Sequence, residues 1–426
     1  MSLPSPPRAT YRVQLHSGFG FEDAAAVVPY VARLGVSHLY TSPILQAAPG
    51  STHGYDVVDH SRLNAELGGE AGFERLLEAL RSAGMGLVVD IVPNHMAIGP
   101  DNAWWWDVLQ HGPASRYAGH FDVDWAPPGR RLRNVILLPV LGDRYRRVLE
   151  AGDLVLVRDG GTFAIRLADQ RFPLDPRSLE TLLADAARRA GSDELRLLAR
   201  AHGELPASIA TAPDQLEQRQ RDATALAERL AQLALETVVV EQLDAAVTAT
   251  NRDRVAIDAL LHAQNYRLAY WRTSSQVLGY RRFFDVDTLI GLRVERPEVF
   301  EDTHRLILDR VAAGEIQGLR IDHPDGLRDP GAYFDRLRAA APDAWIVAEK
   351  ILELGEPLRD WPIDGTTGYR FANQATGLQV DPRGEEPLTR LYGRLTQADT
   401  SWERVAAAAR LQALTELLGS DLNRLT

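Results

Sequence analysis

The chain has 426 residues, 45% of them hydrophobic and 25% charged, which suits a globular protein of two or three domains with a large buried core. Its 58 acidic residues outnumber 47 basic ones, and the net charge of −11 disfavours nucleic acid and anionic lipid as partners and points to a neutral or small one. With no cysteine in the sequence, disulfides, thiolate metal sites and a catalytic thiol are all excluded.

The opening residues MSLPSPPRAT have neither a basic n-region nor an apolar h-region. No window reaches the ~18 apolar residues of a membrane span, so a cytoplasmic protein is expected. Residues 9–15 (ATYRVQL) read as a strand, 21–34 as a helix by the spacing of their apolar residues, and 38–41 as a second strand, which together make one βαβ step. The helical pattern returns over 73–83, Gly84 ends it, and 87–92 is the continuous apolar run of a strand buried on both faces. The rhythm then breaks. Trp104, Trp105 and Trp106 precede a Pro/Arg-rich loop and a hairpin, LVLVRDGGTFAIRL, turning at 159–161. Residues 178–269 read as helical, with Leu216, Ala223, Leu226, Leu230 and Leu233 on one stripe suited to helix-on-helix packing. Alternation resumes with a helix at 297–313, a strand at 319–321, a helix at 332–340, a strand at 345–348 and a short strand at 365–369, after which 385–425 read as helices.

Six parallel strands with a large mixed α/β insertion after the third predict an α/β fold, a (β/α)8 TIM barrel incomplete in this chain, although an open doubly wound sheet fits the same count. The expected organisation is a first barrel part over 1–110, an inserted domain over 111–290, a barrel continuation over 291–381 and a helical segment over 382–426.

Polar side chains cluster just past the strand ends: Asp90, Asn94 and His95 after the third, Arg320, Asp322 and His323 at the fourth, and Glu349 after the fifth. In a barrel these ends share one mouth. Asp322 and Glu349 are close to one βαβ repeat apart, which puts them on neighbouring strands about 4.8 Å apart. Such a pair can reach the carboxyl separation of ~5–5.5 Å used in glycoside hydrolysis with retention. That chemistry needs an ionised nucleophile and a protonated acid. Arg320, two residues before Asp322 on a strand, points to the same face, and its charge is expected to favour ionised Asp322. Tyr55, in the loop GSTHGYD, can turn a ring face to a pyranose; the three tryptophans suit either sugar stacking or core packing. No HExxH or comparable pair is present, so a catalytic metal is not expected.

Three strings carry a resemblance: DIVPNH at 90–95, GLRIDH at 318–323 and AEK around Glu349 resemble the first three signature regions of the α-amylase clan, glycoside hydrolase family 13. The longer segments YRVQLHSGFGF, PGSTHGYDVVDH, LAYWR, YRRFFDV, RIDHPDGLRDP, EKILELGE and DGTTGYRF are more specific and extend the likeness from Tyr11 to the end of the chain. The resemblance implies Asp322 as nucleophile, Glu349 as acid/base, Arg320 and His95 as ligands around the sugar, Tyr55 as its stacking platform and Asp90 as a supporting carboxylate. Asp56 and His323 are carried as further sugar contacts. It implies a maltooligosaccharide or α-1,4-glucan substrate, no cofactor, no nucleic-acid or membrane partner, and an intramolecular transglucosylation. The reducing-end α-1,4 linkage is broken, the released glucose turns in place, and its C1 hydroxyl returns to the glycosyl-enzyme as an α,α-1,1 linkage. Water competes for the same intermediate, so the insertion and loops are expected to close the mouth.

The sequence departs from the family pattern twice. Arg370 stands where an aspartate is expected after TTGY, and nothing after Phe371 resembles the fourth signature, a His-Asp pair that supplies a third catalytic carboxylate. The chain is therefore expected to be part of a longer enzyme with little turnover alone. The competing readings are an α-amylase-type hydrolase and a non-catalytic glucan-binding protein.

Overall fold

A computed structural model describes residues 6–127, 130–209, 212–353 and 355–425. Residues 1–5 of the opening stretch, 128–129 of the Pro/Arg-rich loop and position 354 of EKILELGE lie outside the described residues. The chain forms two compact units, one made of the residues up to Ala97 with Gly291–Leu417, the other of Ile98–Ile290 with the residues from Leu418 on.

In the first unit strands and helices alternate: β1 (Thr10–Val13), α1 (Phe21–Arg33), β2 (His38–Thr41), α2 (Gly69–Ala83), β3 (Gly86–Ile91), α3 (Pro297–Ala312), β4 (Gly318–Ile321), α4 (Pro330–Ala340), β5 (Trp345–Ala348) and β6 (Gly365–Thr366). The six strands lie side by side in chain order, every pair parallel. A doubly wound sheet would reverse its order at a switch point, so the sequential order makes this six strands of a (β/α)8 barrel. The helices have local reasons to start and stop. The Asp23 carboxylate accepts from the Gly20 N–H at 2.9 Å ahead of α1, Asp329 caps α4 by accepting from the Ala332 N–H at 3.0 Å, and Gly84 ends α2 at φ +64°.

Strand alternation divides the side chains into two sets. Leu39, Leu87, Val89, Ile91, Leu319, Ile321, Ile346 and Ala348 join one core with Phe21 and Val28 of α1, Phe73 and Leu76 of α2, Phe300 of α3 and Phe334 of α4. The intervening positions, Arg12, Tyr40, Asp90 and Arg320 among them, therefore belong to the opposite, barrel-interior face. The strand expected over 365–369 stops at Thr366. Gly368, at φ +95°, turns the chain directly into a helix, Tyr369–Gly377, with Arg370 exposed in its first turn. Helices at Glu385–Thr396 and Trp402–Glu416 follow.

The second unit holds an antiparallel meander, Val155–Asp159, Thr162–Leu167 and Gln170–Pro173, whose first two strands are the expected hairpin. Five helices follow between Glu180 and His262. The helical reading of 178–269 fails at its end, because Tyr266–Tyr270 is a strand paired in parallel with Ile136–Leu141. The apolar stripe lies on one helix, Pro213–Leu233, where Ala223, Leu230 and Leu233 are buried while Leu216 and Leu226 stay partly exposed. Among the described residues no helix is long and apolar enough to cross a membrane.

Candidate active site

The register of the barrel strands brings the predicted residues together. Arg320 of β4 lies opposite Asp90 of β3 and Val347 of β5, and Ile321 lies opposite Ala348, so Asp322 and Glu349 follow directly on a paired position. Both continue the ladder past the strand ends: the Asp322 N–H donates to the Ile91 carbonyl and the Glu349 N–H to the Ile321 carbonyl, each at 2.9 Å. Their side chains consequently emerge at the same end of neighbouring strands.

The centre of the site is the Arg320 guanidinium. One terminal nitrogen, Nη1, donates to Asp90 Oδ1 at 2.8 Å and to Asp322 Oδ1 at 2.6 Å; the other, Nη2, meets Glu349 Oε1 at 2.9 Å. Arg320 and Asp322 share a face, as strand alternation predicts. The other Glu349 oxygen accepts from the His323 backbone N–H at 3.1 Å. His323 reaches that position through a left-handed backbone, φ +43° and ψ +54°, which is strained for a non-glycine residue and redirects the chain immediately after Asp322. Asp90 is held by two further groups, the hydroxyls of Tyr55 at 2.6 Å and Tyr40 at 2.9 Å, and Arg12 donates to the Tyr55 oxygen at 3.1 Å.

Three carboxylates thus share one buried guanidinium. Burial is the largest effect on Asp322 and raises its pKa; Arg320 pulls it down, as its position on the same face leads one to expect, while the neighbouring charges of Asp90 and Glu349 add to the rise, so Asp322 titrates above the ordinary carboxylate range. Asp90, with a fully buried side chain, is raised for the same leading reason. Burial likewise raises the Tyr40 and Tyr55 hydroxyls, with Asp90 adding to each, so both remain protonated donors. Arg320 is itself raised by these anions against its desolvation, and it stays charged.

Tyr55 is delivered by a loop between two antiparallel strands, Leu45–Ala47 and Val57–Leu63, that the sequence reading had not separated. Gly54 turns this loop at φ +83°, where a Cβ would lie 2.8 Å from the Pro43 carbonyl oxygen, so only glycine fits. Asp56 is engaged within the same loop: Ser51 donates to it and His53 lies 3.8 Å away. His95 is buried at the start of a short strand, its Nδ1 3.5 Å from the Asn94 amide nitrogen. Lys350 turns to Asp325 at 3.0 Å and Glu356 at 3.2 Å. Tyr40 and Arg12 were missed, although the parity of both with the interior face carried the signal.

Residues 25–134 match the catalytic domain of α-amylase. The chain is 36% identical, over 99% of its length, to a putative maltooligosyl trehalose synthase of Mycobacterium tuberculosis. Over 29% of its length it is also 32% identical to an intracellular maltogenic amylase of Bacillus subtilis. Among solved structures, maltooligosyltrehalose synthase from Arthrobacter ramosus superposes with a TM-score of 0.73 at 35% identity, covering 99% of this chain, and a hypothetical maltooligosyl trehalose synthase from Sulfolobus tokodaii superposes with 0.70 at 31%. The chain spans about 45% of the length of the Mycobacterium and Arthrobacter relatives. It is a relative of the maltooligosyltrehalose synthases.

Proposed function

From this relationship we propose that the barrel carries the nucleophile, Asp322, and the acid/base, Glu349, of an enzyme that converts the reducing-end α-1,4 linkage of a maltooligosaccharide into an α,α-1,1 linkage. The observation that carries the reading is the placement of two carboxylates, from successive strand ends, on the two terminal nitrogens of one guanidinium. Double displacement needs this neighbourhood. One carboxylate attacks the anomeric carbon as the other protonates the departing oxygen, and the second then takes a proton from the returning nucleophile.

Three carboxylates meet one cation in this scheme. Catalysis requires a proton on Glu349 and none on Asp322. Arg320 meets both residues, Tyr55 holds Asp90 and borders the sugar, and His95, His323 and Asp56 line the approach. No cofactor enters the scheme. On this reading the barrel strands are carried by the residues up to Ala97 and by 291–381, the insertion is Ile98–Ile290, and 382–426 begin a helical extension, in a cytoplasmic enzyme.

Incubation with maltopentaose tests the reaction: reducing ends should disappear without shortening of the chain, whereas accumulating glucose and shorter oligosaccharides would instead identify an α-1,4-glucan hydrolase. A fluorinated glycosyl fluoride, which forms a slowly turned-over ester with a retaining nucleophile, tests the residue. The label should map to Asp322 in a peptide digest, and a label on any other carboxylate removes the assignment.

A further inference from the structure

The three consecutive tryptophans separate by role in the second unit. Trp104 stacks on Tyr117 with ring centres 5.3 Å apart, and Trp105 is buried edge-on against Phe121 and Tyr280 at 5.5 and 5.9 Å. Trp106 has no ring partner among the described residues, and its half-buried side chain borders a cavity of about 490 Å³. That is within the ~300–1,000 Å³ of small-molecule sites. We propose that this cavity, between Trp106, His111, His202 and the helix Pro213–Leu233, is a second binding site, for a short neutral sugar.

The chemistry of the walls selects the ligand. The floor is apolar, with Phe163, Leu174, Leu179 and Leu230 all buried. Two histidines line it, and each has one buried ring nitrogen without a hydrogen-bond partner. His202 is 2% exposed; its Nδ1 lies 2.9 Å from the Pro176 carbonyl, which accepts a proton only from N–H and so leaves Nε2 as an acceptor. His111 Nε2 lies 3.9 Å from Asp107, beyond hydrogen-bond reach, and its Nδ1 is buried without a partner. Burial lowers the pKa of both rings and keeps them neutral. A neutral acceptor on His202 and a second neutral imidazole beside an indole suit a ring that brings its own hydroxyl groups and an apolar face.

Other ligands fit less well. Asp107 and Glu228 border the cavity and would repel an anion. Among the described residues no three His, Asp or Glu side chains are grouped to hold a metal ion. The cavity asks only for a neutral polyhydroxylated ring; naming it a glucan oligosaccharide rests on the proposed function.

Hydrogen-exchange mass spectrometry of the whole chain, with and without millimolar maltotriose, locates the site. Maltotriose is expected to slow exchange in the segments around 104–111, 200–206 and 223–230. Trp106→Ala should weaken that effect about tenfold in sugar concentration. Because His202 is a core residue whose replacement can unfold the unit, the second variant is Ala227→Trp, which plugs the cavity from an exposed rim position and should abolish protection with an unchanged circular dichroism spectrum. Absence of protection in these segments of the wild type overturns the proposal, as does equal protection in Ala227→Trp. Protection only around Asp90, Asp322 and Glu349 overturns it while leaving the barrel reading intact; protection only in the insertion does the reverse.

Discussion

Replacing Arg320 by methionine keeps most of the side-chain volume and removes the cation that three carboxylates share, and its cost should depend on pH. In the wild type Asp90 and Asp322 titrate above their unfolded values, burial being the leading cause. Between the unfolded value of ~3.9 and the folded one, the native state therefore binds more protons than the unfolded chain, and stability falls as pH rises. Arg320 lowers both pKa values and limits this penalty. Without it the folded values climb further, so the window widens and the penalty above it deepens. Removing one partner of a buried ion pair costs ~3–5 kcal/mol where the remaining charge must be carried. Near about pH 5, where Asp322, raised to about 7, holds its proton in the fold, the loss should shrink towards the ~1 kcal/mol of an imperfect shape replacement. Urea unfolding of both proteins at about pH 5 and about pH 8, followed by circular dichroism, measures the difference. Equal losses at the two pH values, or a loss under ~1 kcal/mol at the higher one, would refute the shared-cation account.

Asp322→Asn and Glu349→Gln should each lower turnover of maltooligosaccharide by about 10²–10⁴-fold, measured as loss of reducing ends, and near-normal kinetics in either variant contradict the assigned roles. Asp90→Asn removes a negative neighbour that raises Asp322 while leaving an oxygen to accept from Tyr40 and Tyr55, so the acid limb of kcat/KM should move to lower pH; a stationary limb means Asp90 does not set the nucleophile's charge. Gly54→Ala forces a side chain into a left-handed position against the Pro43 carbonyl and should cost about 1–3 kcal/mol and raise KM through displacement of Tyr55, whereas unchanged melting and KM would show that the loop adapts.

How much of this was legible depends on the range of each interaction. Alternation along one strand is local, so the shared face of Arg320 and Asp322 could be read from their spacing, and the 2.6 Å contact follows. The run at Trp345–Ala348 ends where the structure ends it, because a strand buried on both faces is apolar throughout. The charge state of Asp322 could not be read this way. It depends on Asp90, 230 residues away from Arg320 in sequence, and on a degree of burial that no local pattern encodes. The strand Tyr266–Tyr270 was lost for a related reason: its partner, Ile136–Leu141, lies on the far side of the hairpin and five helices, while its immediate neighbours are helical. At Thr366, the short β6 ends just before the positive φ of Gly368, a stop signal hidden inside a motif that reads as extended.

The same dependence on distant partners explains why the signature residues alone do not define a mechanism. Asp322 and Glu349 are chemically similar acids, and the backbone places them in equivalent positions on adjacent strands. Their difference comes from what else reaches each one. Asp322 is 9% exposed and lies on the same guanidinium nitrogen as buried Asp90, whereas Glu349 is 24% exposed, meets the second nitrogen, and receives a backbone N–H from the strained His323. Both acids meet Arg320, and Asp90, which makes no bond to substrate in this scheme, still acts on the proposed nucleophile, because its charge adds to the burial that raises Asp322.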